Sequence, residues 1–270
     1  MKILIINGSA HKGNTWALVE IVKNHMQKIS HNKIEFDEIH LKEINLPFCI
    51  GCSSCFIRGN KSCPHHLEVQ KFIDKIEEND ATIIASPCYA NHVTALMKNF
   101  IDHLAFNTHR PKFFKNKMLA ISTAGGSGAK KCTKYLRETF VCWGFNRGYE
   151  LPVISNSYGG YKPSKKVVKK CKIVAEKFYM DVSGGKLYSP TFMSLLVYNI
   201  FRGMSHTGAE GEFYDNEYWK KTGLVSVAYA TEIPLPLYKK VLGNIIYYFA
   251  KRMAKNTKLT FNVFVSRHFK

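Results

Sequence analysis

Residues 1–15 read MKILIINGSAHKGNT, and the fold is decided there. Lys2–Ile6 is an unbroken apolar run, the pattern of a strand buried on both faces of a sheet. From Thr15 to Ile29 the apolar residues Trp16, Leu18, Val19, Ile21, Val22, Met26 and Ile29 recur at helical spacing. The loop between joins a strand to a helix, so backbone N–H groups and the helix N-terminus favour an anion there. A triphosphate loop of the form G-x4-G-K-[ST] would place a lysine after Gly13; here Asn14-Thr15 follow instead. Neither is there a G-x-G-x-x-G run for a dinucleotide. Ser9, Asn14 and Thr15 add side-chain donors, and His11 and Lys12 add positive charge or further donors. A single terminal phosphate, such as FMN carries, fits this set better.

The alternation continues through the first 180 residues. Strands are expected at Lys33–Ile39, Ala81–Ala85, Lys117–Ser122 and Phe145–Val153. Helices are expected at Leu67–Ile76, Ala95–Leu104, Ala129–Cys142 and Ser164–Met180, with a Cys-, Gly- and Ser-rich loop at Leu46–Pro64. Five strands with crossover helices make an α/β fold, a doubly wound five-stranded parallel sheet with helices on both faces. Such sheets bind ligands at the carboxyl ends of their strands. Three unusual loops, 7–14, 86–91 and 123–128, follow three separate strands, and the fold brings them to one rim.

From about Ser183 the pattern changes, giving a domain at 1–182 and a basic, mainly helical extension at 183–270. Amphipathic helices are expected at 190–203 and 237–254, with a polar, aromatic stretch from Phe213 to Trp219 between them. The second helix carries Leu237, Val241, Leu242, Ile245, Ile246, Phe249 and Met253 on one side and Lys239, Lys240, Lys251, Arg252 and Lys255 elsewhere. That apolar side is expected to pack on its own domain or on a partner subunit, with peripheral membrane contact as the alternative.

Three motifs stand in order: GSAHKGNT after the first strand, SPCYANHVTALMKNFIDH after the third and STAGGSG after the fourth. Together they resemble the NADPH-dependent FMN reductase family of the flavodoxin-like fold, over roughly residues 1–180. The resemblance implies that Ser9, His11, Asn14 and Thr15 hold the FMN phosphate, His11 standing where the family usually has arginine. It implies that Pro87, Cys88, Tyr89, Ala90 and Asn91 border the isoalloxazine, with Tyr89 on or near the ring, and that Thr123, Ala124, Gly125 and Gly126 line its other side. It further implies electron transfer from NAD(P)H through FMN to a small acceptor (a quinone, a nitro or azo compound, or flavin), no catalytic side chain, and a homo-oligomer, dimer or tetramer. Asn99–His103 reads as packing. His109, Arg110 and Lys112 read either as steering groups for an anion or as part of a solvated loop.

The chain has eight cysteines, and Cys49, Cys52, Cys55 and Cys63 form C-x2-C-x2-C-x7-C-P. Bacterial ferredoxin runs use C-x2-C-x2-C-x3-C-P, whereas zinc sites favour two knuckles with a longer spacer. The spacing is similar to that of the iron–sulfur flavoproteins, which implies a [4Fe–4S] cluster and exchange of electrons with ferredoxin. FMN reductase relatives with a similar loop and no cluster are the alternative, and Pro64-His65-His66-Leu67-Glu68 departs from both. Cys88 reads as a thiol near the flavin; Cys132, Cys142 and Cys171 read as small apolar residues on helices.

Charge divides the chain. Residues 1–100 hold 11 Lys/Arg and 10 Asp/Glu, and residues 101–270 hold 28 and 10, which accounts for the net +19. A basic half meets nucleic acid, an anionic membrane, an acidic partner or an anionic substrate, or is simply a solvated face. No helix-turn-helix, zinc-finger or RNP signature is present, so nucleic acid is not expected. A basic binding module for polyanions or membrane, without turnover, is the remaining alternative. No stretch reaches the about 20 apolar residues of a membrane span, and the opening run is shorter than the about 7–15 of a signal sequence, so a cytoplasmic location is expected.

Overall fold

The computed structural model describes residues 1–157, 160–208 and 213–256. Five parallel strands form one sheet: β1 (Lys2–Asn7), β2 (Glu35–His40), β3 (Ala81–Ala85), β4 (Lys117–Ala124) and β5 (Arg147–Ile154), in the order β2-β1-β3-β4-β5. The helices are α1 (Asn14–Ile29), α2 (Ser54–Ile57), α3 (His66–Glu78), α4 (Ala95–His103), α5 (Ala129–Cys142), α6 (Lys165–Ser183), α7 (Phe192–Met204), α8 (Tyr214–Lys221) and α9 (Leu237–Asn256).

Strand alternation sorts the core into two layers. Ile3, Ile5, Ile83, Leu119 and Ile121 pack against α1 and α6 through Val19, Val22 and Phe178. Leu4, Ile6, Ile84, Met118 and Ala120 pack against α3, α4 and α5 through Phe72, Phe100 and Phe140. This is the flavodoxin-like arrangement, with helices on both faces and both faces dry. The extension carries its own cluster, in which Leu195, Tyr198, Trp219, Tyr229 and Ile233 gather around Phe114 from the first part of the chain. Among the described residues, no helix is long and apolar enough to cross a membrane.

Several boundaries differ from the sequence reading. β4 runs on to Ala124, because Ser122, Thr123 and Ala124 keep their pairing with β5. The cysteine loop contains α2, one turn long. The stretch 214–219 belongs to α8, with Phe213 as its N-cap, and Asp215 and Glu217 in the first turn and Lys220 and Lys221 in the last oppose the helix dipole favourably. Cys132 and Cys171 are buried, and Cys142 is half-buried.

A buried ion pair ties α6 to the start of β4. Lys117 Nζ lies 2.9 Å from Asp181 Oδ1, and the two side chains are 3% and 5% exposed. Tyr149 donates its hydroxyl to Asp181 Oδ2 at 2.8 Å. Replacing Asp181 with alanine leaves the lysine charge buried and unpaired, which should cost about 3–5 kcal/mol in urea unfolding. The same change at Asp37, whose partner Lys75 is 43% exposed, should cost no more than about 1 kcal/mol.

Burial also silences three thiols. It pushes Cys132 up to about 12, where a hydrogen bond to Cys88 adds to the effect, and Cys142 and Cys171 up to about 11. Higher pKa values mean less thiolate at neutral or mildly alkaline pH, and the thiolate is the nucleophile. An aromatic disulfide reagent at about pH 8 should therefore titrate Cys49, which is exposed, and leave these three unmodified until denaturant is added.

Candidate functional site

The carboxyl ends of the strands meet at one rim. Gly8 leaves β1 by donating its N–H to the Ala85 carbonyl at 2.8 Å, and its own carbonyl accepts from Thr94 Oγ1 at 2.6 Å. A Cβ at Gly8 would stand 2.8 Å from Met97 Cβ, so only glycine lets this turn pass over α4. The chain enters α1 at Asn14 from Gly13, and among the described residues no side chain caps that first turn. The uncapped N–H groups therefore keep their partial positive charge at the rim. Ser9 and Thr15 are buried beside them, and Thr15 Oγ1 lies 2.6 Å from Thr123 Oγ1, joining the first turn of α1 to the end of β4 through two hydroxyls.

A cavity of about 250 Å³ opens here. Ser9, His11, Asn14, Thr15, Pro87, Cys88, Tyr89, Thr123, Ala124 and Gly125, all singled out from the sequence, line it. Ala90, Asn91 and Gly126 lie outside the lining. Ala90 and Asn91 form the tip of a tight hairpin, with φ of 50° and 63°, closed by two hydrogen bonds between Tyr89 and His92. That tip presents Tyr89 to solvent, 54% exposed. Cys88 is held from behind by its N–H to the Thr123 carbonyl, and a Cβ at Gly128 would stand 2.6 Å from its sulfur.

Sequence reasoning missed the fourth wall, Ser155 and Ser157 after β5. Ser155 N–H donates to the Ala124 carbonyl, and Asn156 N–H to that of Gly125. Asn14, which lines the cavity, also reaches this wall. Its amide donates to the Ser157 carbonyl at 2.9 Å, so it pins this wall to the start of α1. A Ser-Asn-Ser run carries no glycine signature, and only the topology shows that β5 ends beside α1. Tyr158 and Gly159 lie outside the described residues.

The cysteine loop sits apart from the cavity, over α4 and α8. Asn99 anchors it, accepting from Cys49 N–H at 3.0 Å and donating to the Leu46 and Pro47 carbonyls, each at 3.1 Å. His103 lies 2.9 Å from His65 and hydrogen-bonds the Asn99 carbonyl. Arg110 is buried, not solvated. It donates to the Cys55 carbonyl at 2.9 Å and to Asn60 at 2.8 Å, while Nη1 faces Asp215 at 3.0 Å. His109 Nδ1 lies 2.8 Å from the same carboxylate, and its ring stacks on Phe201. Lys112 pairs with Glu77. The segment read as anion-steering or solvated is thus a clamp between the cysteine loop and the extension.

Burial pushes the Cys55 thiol up to about 12 despite the nearby Arg110 charge, and the charges of Cys63, Cys52 and Cys49 raise it further. Burial also raises Cys63, partly offset by a backbone hydrogen bond from His65. Among the described residues, no three His, Cys, Asp or Glu side chains are gathered closely enough to hold a metal ion. The four thiols are neighbours without sharing a common point.

Two curated relatives are each called iron-sulfur flavoprotein, both from Archaeoglobus fulgidus. One is 38% identical over 102 residues, covering 38% of this chain and 48% of its own length. The other is 27% identical over 233 residues, covering 83% of this chain and all of its own. The chain thus spans about half of the first and the whole of the second. Among solved structures, an azoreductase from Bacillus anthracis superposes with a TM-score of 0.52 at 14% identity, over 66% of this chain and 98% of that one, which is a likeness of fold. The sequence model of NADPH-dependent FMN reductase matches residues 1–155, more than half of the chain. With its strand-end cavity and its sheet order, the chain belongs to the NADPH-dependent FMN reductase family.

Proposed function

We propose that this chain takes electrons from NAD(P)H through bound FMN and passes them to a small oxidised acceptor, a quinone, a nitro or azo compound, or free flavin. The cavity at the ends of β1, β3, β4 and β5 carries this reading. Its residues fit FMN. The uncapped N-terminus of α1 and the buried hydroxyls of Ser9 and Thr15 would receive the phosphate, with His11 at the mouth. Pro87 to Asn91 and Thr123 to Gly126 would border the ring from two sides, Tyr89 packing on or beside it. Bound FMN would itself supply the redox chemistry, so the side chains bind, orient and exclude water. The Thr15–Thr123 contact would fix the spacing between the phosphate end and the ring end.

A second reading, an iron–sulfur flavoprotein that carries electrons between ferredoxin and FMN, is favoured by the anchoring of the cysteine loop. Cys49, Cys52, Cys55 and Cys63, which share no common point in this arrangement, would have to draw together to hold a [4Fe–4S] cluster, which would supply one-electron storage. Asn99, Arg110 and the His65 N–H would position the loop around it.

FMN added to the purified chain should bind with quenching of its fluorescence. Ser9→Ala should weaken that binding about tenfold, the worth of one hydrogen bond to a charged group. A chain that does not bind FMN at all would overturn both readings. Iron and sulfide analysis of protein purified without oxygen separates them: about four irons per chain, lost in Cys52→Ala, supports the carrier, and a yellow iron-free protein supports the reductase.

A further inference from the structure

α9 is built inside out. Its inner face carries Gly243, Tyr247, Ala250 and Ala254, all buried. Opposite them on α7 stands Gly203, where a Cβ would come within 2.4 Å of Ala250 Cβ and 2.7 Å of the Lys251 nitrogen. The two helices thus touch nearly backbone to backbone, and three of those four inner residues are small. Most of the large apolar residues face the other way, although Leu242 packs on the cluster around Tyr198. Leu237, Tyr238, Val241, Ile245, Tyr248 and Phe249 run along one side, and each is between 47% and 76% exposed. Of the expected partners for this side, its own domain, a partner subunit or a membrane surface, the first is therefore not the one it meets. A soluble helix ordinarily turns such residues inward, and contiguous exposed apolar patches mark an interaction surface.

The charge on the same helix selects the occupant. Lys240, Arg252 and Lys255 are exposed, and no Asp or Glu occurs in the sequence after Glu232, while eight Lys and Arg follow it. A second copy laid on this face would set cation against cation with no acid to pair them, and like-charge contact disfavours association. An anionic bilayer offers apolar acyl chains to the stripe and negative headgroups to the basic residues. Tyr238 and Tyr248 have the amphipathic rings that settle at a membrane interface. The helix needs no spanning length for this, since it would lie in the plane of the surface.

We propose that α9 docks the protein on an anionic lipid surface through this aromatic stripe. The proposal is independent of the FMN reading. Full-length protein should co-sediment with vesicles containing about 30% phosphatidylglycerol at least tenfold more strongly than with neutral phosphatidylcholine vesicles, and high salt should weaken the binding. The double variant Val241→Glu, Phe249→Glu should lose at least tenfold, with circular dichroism and FMN content unchanged; Phe249→Ser is the milder variant should the double one misfold. Absence of binding to anionic vesicles, or equal binding by a folded variant, would overturn the proposal. So would a dimer in analytical ultracentrifugation that the variant dissociates while vesicle binding is absent, because the stripe would then belong to a second copy.

Discussion

The Arg110 guanidinium holds together parts of the chain that share no strand. Its side chain is 3% exposed, and its carbon lies 4.7 Å from the centre of the Phe106 ring and 4.9 Å from that of Tyr214. Its hydrogen bonds go to the cysteine loop, and its ion pair goes to Asp215 in α8. Burial works against its charge and lowers its pKa, while Asp215 acts in the opposite sense. A charge withdrawn from water in this way is tolerated only while its partners stay in place. The seating of the cysteine loop and the docking of the extension are therefore coupled through one side chain. Trp219 and Tyr218 reinforce the seam by donating to the carbonyls of His109 and Pro111.

The sheet was legible because a doubly covered parallel strand has no polar face: Ile3–Ile6 is apolar without interruption, and Ala81–Ala85 is broken by Thr82 alone, which is itself buried. The end of β4 lies two residues past the expected Ser122, because Thr123 and Ala124 lead straight into a glycine-rich run, although the partner strand holds both in register. Three walls of the cavity could be read from loops that break the pattern at strand ends. The fourth could not, because what makes Ser155 and Ser157 part of the site is their hydrogen bonding to Asn14, more than a hundred residues away. Arg110 escaped for a similar reason. In sequence it stands between His109 and Pro111 in a basic stretch, and its partners in space are remote in sequence.

The apolar side of α9 is legible in the sequence as a pattern, and its direction is not. Periodicity identifies the residues that share one side of a helix, but not which side meets the protein. Here the answer lies in the small residues. Gly203, Gly243, Ala250 and Ala254 let α7 and α9 approach closely, and that close approach turns the large side chains outward.

The hairpin at Tyr89 has a consequence for recognition. Ala90 occupies the left-handed region, which costs a residue with a Cβ about 1–2 kcal/mol. That cost is met when the chain folds, by the two hydrogen bonds between Tyr89 and His92. The backbone beneath the Tyr89 ring is consequently ordered before anything lies against it. A planar molecule stacking there would have little loop entropy to remove, so the ring acts as a rigid anvil and not as a flap.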